Sequence, residues 1–204
     1  MSASTTIQFL SVSFLLLVSF WGVEGKIPPS CKKFECPSYD VTKEGNDYEI
    51  RRYNSPVFIS NSPVSNISLV KATRVGVLRL FSYIHGNNTG KKVIKMTAPV
   101  ISEVSNSGGN SSIVVSFYVP KDNQKDPPLA NGLHVQRWKP SYVAVRQFGG
   151  FVTDTNVWKE VAALNASIAA TKWSAATHKS FFVAQYNSPF ELFNRVNEIW
   201  FLYQ

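Results

Sequence analysis

The chain is poor in the residues that most often do chemistry. Its 204 residues contain one methionine besides the initiator, Met96, with two cysteines and three histidines. A zinc site needs four ligands, and Cys31 and Cys36 have no histidine near them. His85, His134 and His178 stand apart, each without a second ligand nearby in sequence. No metal site is therefore expected, although a histidine at an exposed helix end can in principle ligate a metal. There is no H-E-x-x-H, no G-x-S-x-G, no glycine-rich phosphate loop and no C-x-x-C-H. With the two cysteines paired, no thiol nucleophile remains. No catalytic residue is assigned, and an enzyme is not expected.

Acidic side chains are also few, 13 against 21 Lys and Arg, which leaves a net charge of +8. The basic residues are scattered, with pairs at Lys32–Lys33, Arg51–Arg52 and Lys91–Lys92 and no longer run. A nucleic-acid binder more often shows a basic stripe or a known reading motif. A dispersed basic surface favours acidic ligands instead.

Long hydrophobic runs are missing too. The most apolar stretch, Phe14–Trp21, is short and the segment is broken by Ser11, Ser13 and Ser19, whereas a spanning helix wants about 20 apolar residues. Followed by small residues at Val23 and Gly25, it reads as a secretory signal peptide over residues 1–25, although its start lacks the usual basic residue. The expectation is a secreted protein, extracellular or routed to a vacuole, with no membrane span after cleavage. In that compartment Cys31 and Cys36 are expected to form a disulfide. A loop this small contributes little chain entropy, so the bond clips an N-terminal arm, residues 26–47, and does not staple the core. Four N-x-S/T sequons, at Asn66, Asn87, Asn110 and Asn165, fit a glycoprotein. The rest, residues 48–204, suffices for one well-buried domain, expected as a monomer.

That domain is organised as strands and two helices. YEIRRYNSPVFIS (48–60) reads as two short strands around an Asn-Ser-Pro turn. A helix from about Ser68 to His85 follows, with Val70, Val77, Leu78, Phe81 and Ile84 on one face and Gly86 at its stop. KKVIKMTAPVISEV (91–104) alternates as a strand, with Ile94, Met96 and Ala98 on one side, and SIVVSFYVP is another strand. KDNQKDPPLANG (121–132) reads as an exposed loop that cannot pack a core.

The second half repeats the order. LHVQRWKPSYVAVRQF is strand, proline turn and strand. TDTNVWKEVAALNASIAAT is a helix with Val157, Val161, Leu164 and Ile168 on one stripe and N-cap candidates at Asp154, Thr155 and Asn156. FFVAQYNSPF and NRVNEIWFLY close as strands. Residues echo as well: Ile50-Arg51-Arg52-Tyr53 against Val135-Gln136-Arg137-Trp138, and Met96-Thr97-Ala98-Pro99 against Tyr186-Asn187-Ser188-Pro189. The expected fold is α+β, a duplicated strand–helix–strand–strand unit whose two helices lay their apolar stripes on one curved antiparallel sheet.

Two features bear on function. At 100° per residue Arg74 falls inside the apolar stripe of the first helix, while Arg79 points nearly opposite. It either snorkels to water or stands at the rim of an apolar site and binds an acidic group. Glu49 and Glu198 are the carboxylates placed nearest the middle of the fold. Acid–base work would need one buried in a pocket beside a Tyr or Trp; the simpler reading is a salt bridge to Arg51, Arg52 or Arg195.

Six segments in order, YEIRRY, FSYIHGNN, KVIKMTAPVISEV, VSFYVP, VAVRQFGGF and YNSPFELFNRVNEIW, resemble the SOUL/haem-binding protein family, most closely its secreted plant-type members. The resemblance spans Pro37–Trp200. It implies a distorted antiparallel β-barrel with two helices built on a pseudo-twofold repeat, and reversible, non-covalent binding of haem or a related tetrapyrrole beside the first helix. Arg74 then matches a pocket arginine, and Val77 and Phe81 match lining positions. Leu78 joins them by helical spacing, with Met96 as core or pocket wall. Two positions depart from the pattern. Where some members carry a histidine proposed as an iron ligand, this chain has Arg52, which stays protonated and cannot ligate iron; where many carry a second arginine before Asn-Glu, it has Val196. The function expected is a haem carrier, buffer or scavenger. A protein–protein module using an apolar groove and a hydrolase acting on small apolar substrates are the rival readings.

Overall fold

In the computed structural model, residues 27–65, 68–107, 110–175 and 180–203 are described. The expected signal peptide, Asn66, His178 and the side chain of Asn110 lie outside them. Ten strands form one antiparallel sheet: β1 (Tyr39–Glu44), β2 (Glu49–Tyr53), β3 (Val57–Asn61), β4 (Val64–Ser65), β5 (Val100–Ser107), β6 (Asn110–Tyr118), β7 (Leu133–Arg137), β8 (Ser141–Gly149), β9 (Ser180–Gln185) and β10 (Val196–Tyr203). Two helices join them, α1 (Leu69–Ile84) and α2 (Asp154–Ile168).

Strand order is β1-β2-β8-β10-β9-β5-β6-β3-β7, with β4 paired to β6. Exchanging β2 with β7, β3 with β8, β5 with β9 and β6 with β10 reverses the run from β2 to β7, so the duplication is a true pseudo-twofold about the β5–β9 pair. The repeated unit is two strands, a helix and two strands. The first residue echo obeys this symmetry: Tyr53 ends β2, Trp138 directly follows the equivalent strand β7, and the two rings touch edge-on with centroids 6.3 Å apart. The second echo does not, because Met96–Pro99 precedes β5 whereas Tyr186–Pro189 follows its partner β9.

Alternation sorts the side chains onto two buried faces. The concave face is aromatic, with Tyr53, Phe58, Tyr118, Trp138, Phe182 and Trp200 in one cluster. Trp138 lies 5.0 Å from Phe58 and 5.4 Å from Phe182 by ring centroid, so side chains, rather than backbone pairing of β1 to β7, fill the gap between the curled ends. The convex face carries Ile50, Ile59, Val115, Phe117, Val183 and Ile199 beneath the two helices. This is the α+β distorted barrel expected from the sequence.

Both helices begin on hydroxyl caps. The Ser68 side chain accepts from the Lys71 backbone N–H, and Thr153 forms a capping box with Asn156, taking the position expected of Asp154–Asn156. Helix α2 seats Val157, Leu164 and Ile168 on the sheet as its stripe predicts. Helix α1 does not follow its predicted face. It buries Leu69, Ala72, Thr73, Gly76, Leu80, Tyr83 and Ile84, and of the expected stripe only Ile84 is fully buried. Small residues decide the seating: a Cβ on Gly76 would lie 2.5 Å from Cβ of Val115 on β6. Thr73 also bonds Ser102 of β5 at 2.8 Å. Gly76→Val is expected to lower stability by about 2–3 kcal/mol through overpacking against a rigid β-branched neighbour; a denaturant midpoint unchanged from wild type would contradict this seating.

Two connecting segments differ from expectation. Residues 91–99 precede β5 instead of extending it; their isolated bridges run to the end of α1, Val93 with His85, and to the N-terminal arm, Thr97 with Glu35. Thr97 is buried because its hydroxyl donates to the Tyr118 carbonyl at 2.6 Å, which breaks the simple alternation; Ile94 and Met96 pack on the convex side and Ala98 on the concave side. The 121–132 loop is not wholly exposed, since Pro127 and Pro128 are buried. The Tyr83 hydroxyl donates to the Pro128 carbonyl at 2.9 Å, and Thr89 exchanges two bonds with Leu129, tying the loop to the end of α1. The Cys31–Cys36 disulfide is present, and its turn packs against the concave cluster.

Candidate functional site

Because α1 seats on its small residues, its remaining apolar side chains face outward. Leu78 is 62% exposed and Phe81 49%. On a helical wheel Leu78, Arg74 and His85 fall within roughly 40° of one another on the side opposite the core, with Phe81 and Val70 adjoining. Val77 flanks this face, half-buried against the core. Three of the expected residues, Arg74, Leu78 and Phe81, are thus brought together with Val77 at their edge. Met96, like Val77, is half-buried against the convex-side core.

Electrostatically the face is basic. Helix α1 contains Lys71, Arg74 and Arg79 and no Asp or Glu. Arg74 is exposed and takes part in no ion pair or hydrogen bond among the described residues. No described residue therefore competes for its guanidinium. Along one flank runs an open cleft of about 570 Å³ bordered by Leu78, Arg79, Ser82, Ala130 and Leu133. Its far wall is the 121–132 loop that Tyr83 and Thr89 hold in place.

At the C-terminal end of this face lie His85, read from the sequence only as a helix-end histidine, and Val93, which sequence reasoning left out of the site. His85 caps α1, its ring centroid is 4.1 Å from that of Phe81, and Val93, 80% exposed, is bridged to it. The i, i+4, i+7 and i+11 spacing of His85 from Phe81, Leu78 and Arg74 is the signal that could have found it.

A second polar constellation lies inside the barrel. Strand alternation turns Arg51 of β2 and Glu198 of β10 to the concave face, where they are 1% and 0% exposed. Arg51 donates through Nη1 and Nη2 to the two oxygens of Glu198 at 3.0 and 2.9 Å and through Nε to Glu49 at 2.8 Å. Glu198 Oε2 also accepts from the Tyr186 hydroxyl at 2.8 Å and Trp200 Nε1 at 2.7 Å. Burial opposes the charge of Arg51, but the Glu198 carboxylate together with the surrounding Tyr53, Tyr186 and Tyr39 outweighs it and holds its pKa above the usual range. Burial and then the same carboxylate push the Tyr186 hydroxyl well up, keeping it a donor. A cavity of about 390 Å³ opens at the mouth beside Glu49 and Arg51. Glu198 itself has its oxygens engaged by arginine, tyrosine and tryptophan, which suits it to bracing the barrel and leaves no free lone pair for acid–base work.

Comparison with known proteins places this geometry. Residues 34–202 match the family model described as SOUL heme-binding protein. The chain belongs to the SOUL heme-binding protein family. It is similar to heme-binding protein 2 of Homo sapiens, 35% identical over 168 residues covering 80% of this chain and 81% of that one. The mouse heme-binding protein 2 is 32% identical, with 82% and 85% covered. Among solved structures, the EcmrR C-terminal domain superposes with a TM-score of 0.53 at 8% identity, covering 81% of this chain and 98% of that one; this likeness concerns the fold alone. Within the SOUL family this chain carries Arg52, exposed on β2, and the half-buried Val196 on β10.

Proposed function

We propose that this SOUL-family protein binds haem or a related tetrapyrrole reversibly and without a covalent link, on the outward face of α1. The observation that carries the reading is an apolar helix face left uncovered by the described residues, with an arginine set within it that pairs with none of them. A porphyrin offers what such a face lacks: a large flat apolar surface to cover Leu78 and Phe81 and carboxylates to engage Arg74. The residues present fit that group, with Val70, Val77, Leu78 and Phe81 supplying contact area and Arg74 the counter-charge. Haem bound here would bring an iron centre as well, but binding and release, not turnover, is the chemistry these residues support.

The role is that of a carrier, buffer or scavenger. The N-terminal segment, the sequons and the disulfide support a protein that works in the secretory pathway, outside the cell or in a vacuole. The rival hydrolase reading loses its best candidate, because Glu198 is held by Arg51.

Titration with hemin and with protoporphyrin IX is expected to give a saturable Soret shift at micromolar concentration. Arg74→Ala should weaken both by about 1 kcal/mol, roughly fivefold, as expected for an ionic hydrogen bond at an exposed site. Absence of saturation by either porphyrin would sink the proposal, and unchanged affinity in Arg74→Ala would make that side chain a bystander.

A further inference from the structure

We propose that His85 is the ligand this protein offers to the iron of a bound haem, so that the α1 face distinguishes a metalloporphyrin from a metal-free one. The inference rests on the tetrapyrrole reading above and adds to it the group that touches the metal.

The first observation is the ring's hydrogen bond. His85 Nδ1 lies 2.8 Å from the Phe81 carbonyl oxygen. A carbonyl can only accept, so Nδ1 carries the hydrogen. In the neutral ring the free lone pair is then on Nε2. A metal-ligating histidine commonly shows this arrangement, one nitrogen tied to a carbonyl and the other left to the metal.

The second observation is that the ring is positioned before any ligand arrives. It packs on Phe81 with an interplanar tilt of 40°. Its backbone is anchored on both sides, by the N–H bonds to the Phe81 and Ser82 carbonyls and by the Ile94 N–H to the Ile84 carbonyl at 2.8 Å. The imidazole is nevertheless exposed, so Nε2 is reachable from outside.

The third is its place. His85 shares the outward line of Leu78 and Arg74, with Val93 beside it. Eleven residues separate Arg74 from His85, a rise of roughly 16 Å. A ligand of porphyrin size with its metal at His85 reaches Leu78 with its ring and the long Arg74 side chain with its carboxylates.

Among the described residues, competing ligands are worse placed. The Met96 side chain is half-buried, packed against the convex-side core. His134 lies on β7, opposite Ser60 on the far side of β3 from β6. Arg52 offers only hydrogen-bond donors and no lone pair to a metal. No group of three or more His, Cys, Asp or Glu side chains able to hold a free metal ion occurs among the described residues. A single imidazole suits a metal already held by four porphyrin nitrogens.

The test compares wild type with His85→Ala, using hemin and protoporphyrin IX as probes and reading affinity, the Soret band and the ferric EPR spectrum. Wild type should give an imidazole-ligated ferric spectrum with hemin. His85→Ala should weaken hemin about tenfold more than it weakens protoporphyrin IX, and lose the imidazole signature, which free imidazole then restores. A hemin complex of His85→Ala identical to wild type in spectrum and affinity would remove His85 as the ligand while leaving the porphyrin site standing. Equal losses of affinity for the two porphyrins would also overturn it, since His85 would then act by packing alone. Failure of wild type to bind either porphyrin would remove both readings together.

Discussion

Glu198→Ala should destabilise the fold by about 3–5 kcal/mol, because it strands a buried cation. Arg51 is 1% exposed, and without Glu198 its remaining carboxylate is Glu49, which meets only Nε. The Tyr186 hydroxyl and Trp200 Nε1 lose their acceptor at the same time, and each unsatisfied buried donor adds to the loss. Set against a typical stability of about 5–15 kcal/mol, the variant stands close to unfolding at ambient temperature. Chemical denaturation followed by tryptophan fluorescence measures it. A second variant keeps the interpretation open to failure. The paired change Arg51→Met with Glu198→Leu removes both charges, and it should recover much of the loss, since an apolar pair of similar volume can replace a buried ion pair. A double variant no better than Glu198→Ala would mean that packing volume, not the stranded charge, dominates.

The second large effect concerns binding. Leu78→Glu combined with Phe81→Glu should reduce porphyrin affinity by about 100-fold while leaving the denaturation midpoint near that of wild type. Both side chains are about half or more exposed, so the folded core loses little when they change. A bound porphyrin, by contrast, loses two apolar contacts and meets two carboxylates near its own. The ratio of the two readouts is the informative quantity. If affinity falls only in proportion to stability, or does not fall, the ligand does not sit on this face.

How much of this was legible in the chain differs from residue to residue. The limits of α1 were, because Ser68 offers a hydroxyl to an unpaired N–H and Gly86, with φ of 98°, ends the helix where a side chain would be strained. The face of α1 that meets the sheet was not. The helix is apolar almost all round, so hydrophobic spacing fits two orientations, and the stripe of Val70, Val77, Leu78 and Phe81 is as regular as the one that is buried. Contact with Val115 settled the matter, since only the Ala72–Gly76 side lets the helix come close enough.

The candidate site shows the same division. Arg74, Leu78 and Phe81 could be grouped from helical spacing, and the family motifs pointed to the same helix. His85 was visible only as a helix-end histidine; its hydrogen bond to Phe81 and its alignment with Arg74 depend on the cap geometry. Met96 looked like one side of a continuous strand, but the buried hydroxyl of Thr97 breaks that strand and leaves Met96 half-buried against the core.

By itself the sequence determined the local elements, the duplication and the family, because caps, glycine stops, alternation and motif order are read within a few residues. The tertiary structure alone decided which apolar surface is buried and which charges meet. Arg51 and Glu198 are 147 residues apart and come together only because β8 lies between β2 and β10 in the curled sheet. Burial is a property of what packs opposite, and that partner is supplied by the other half of the chain.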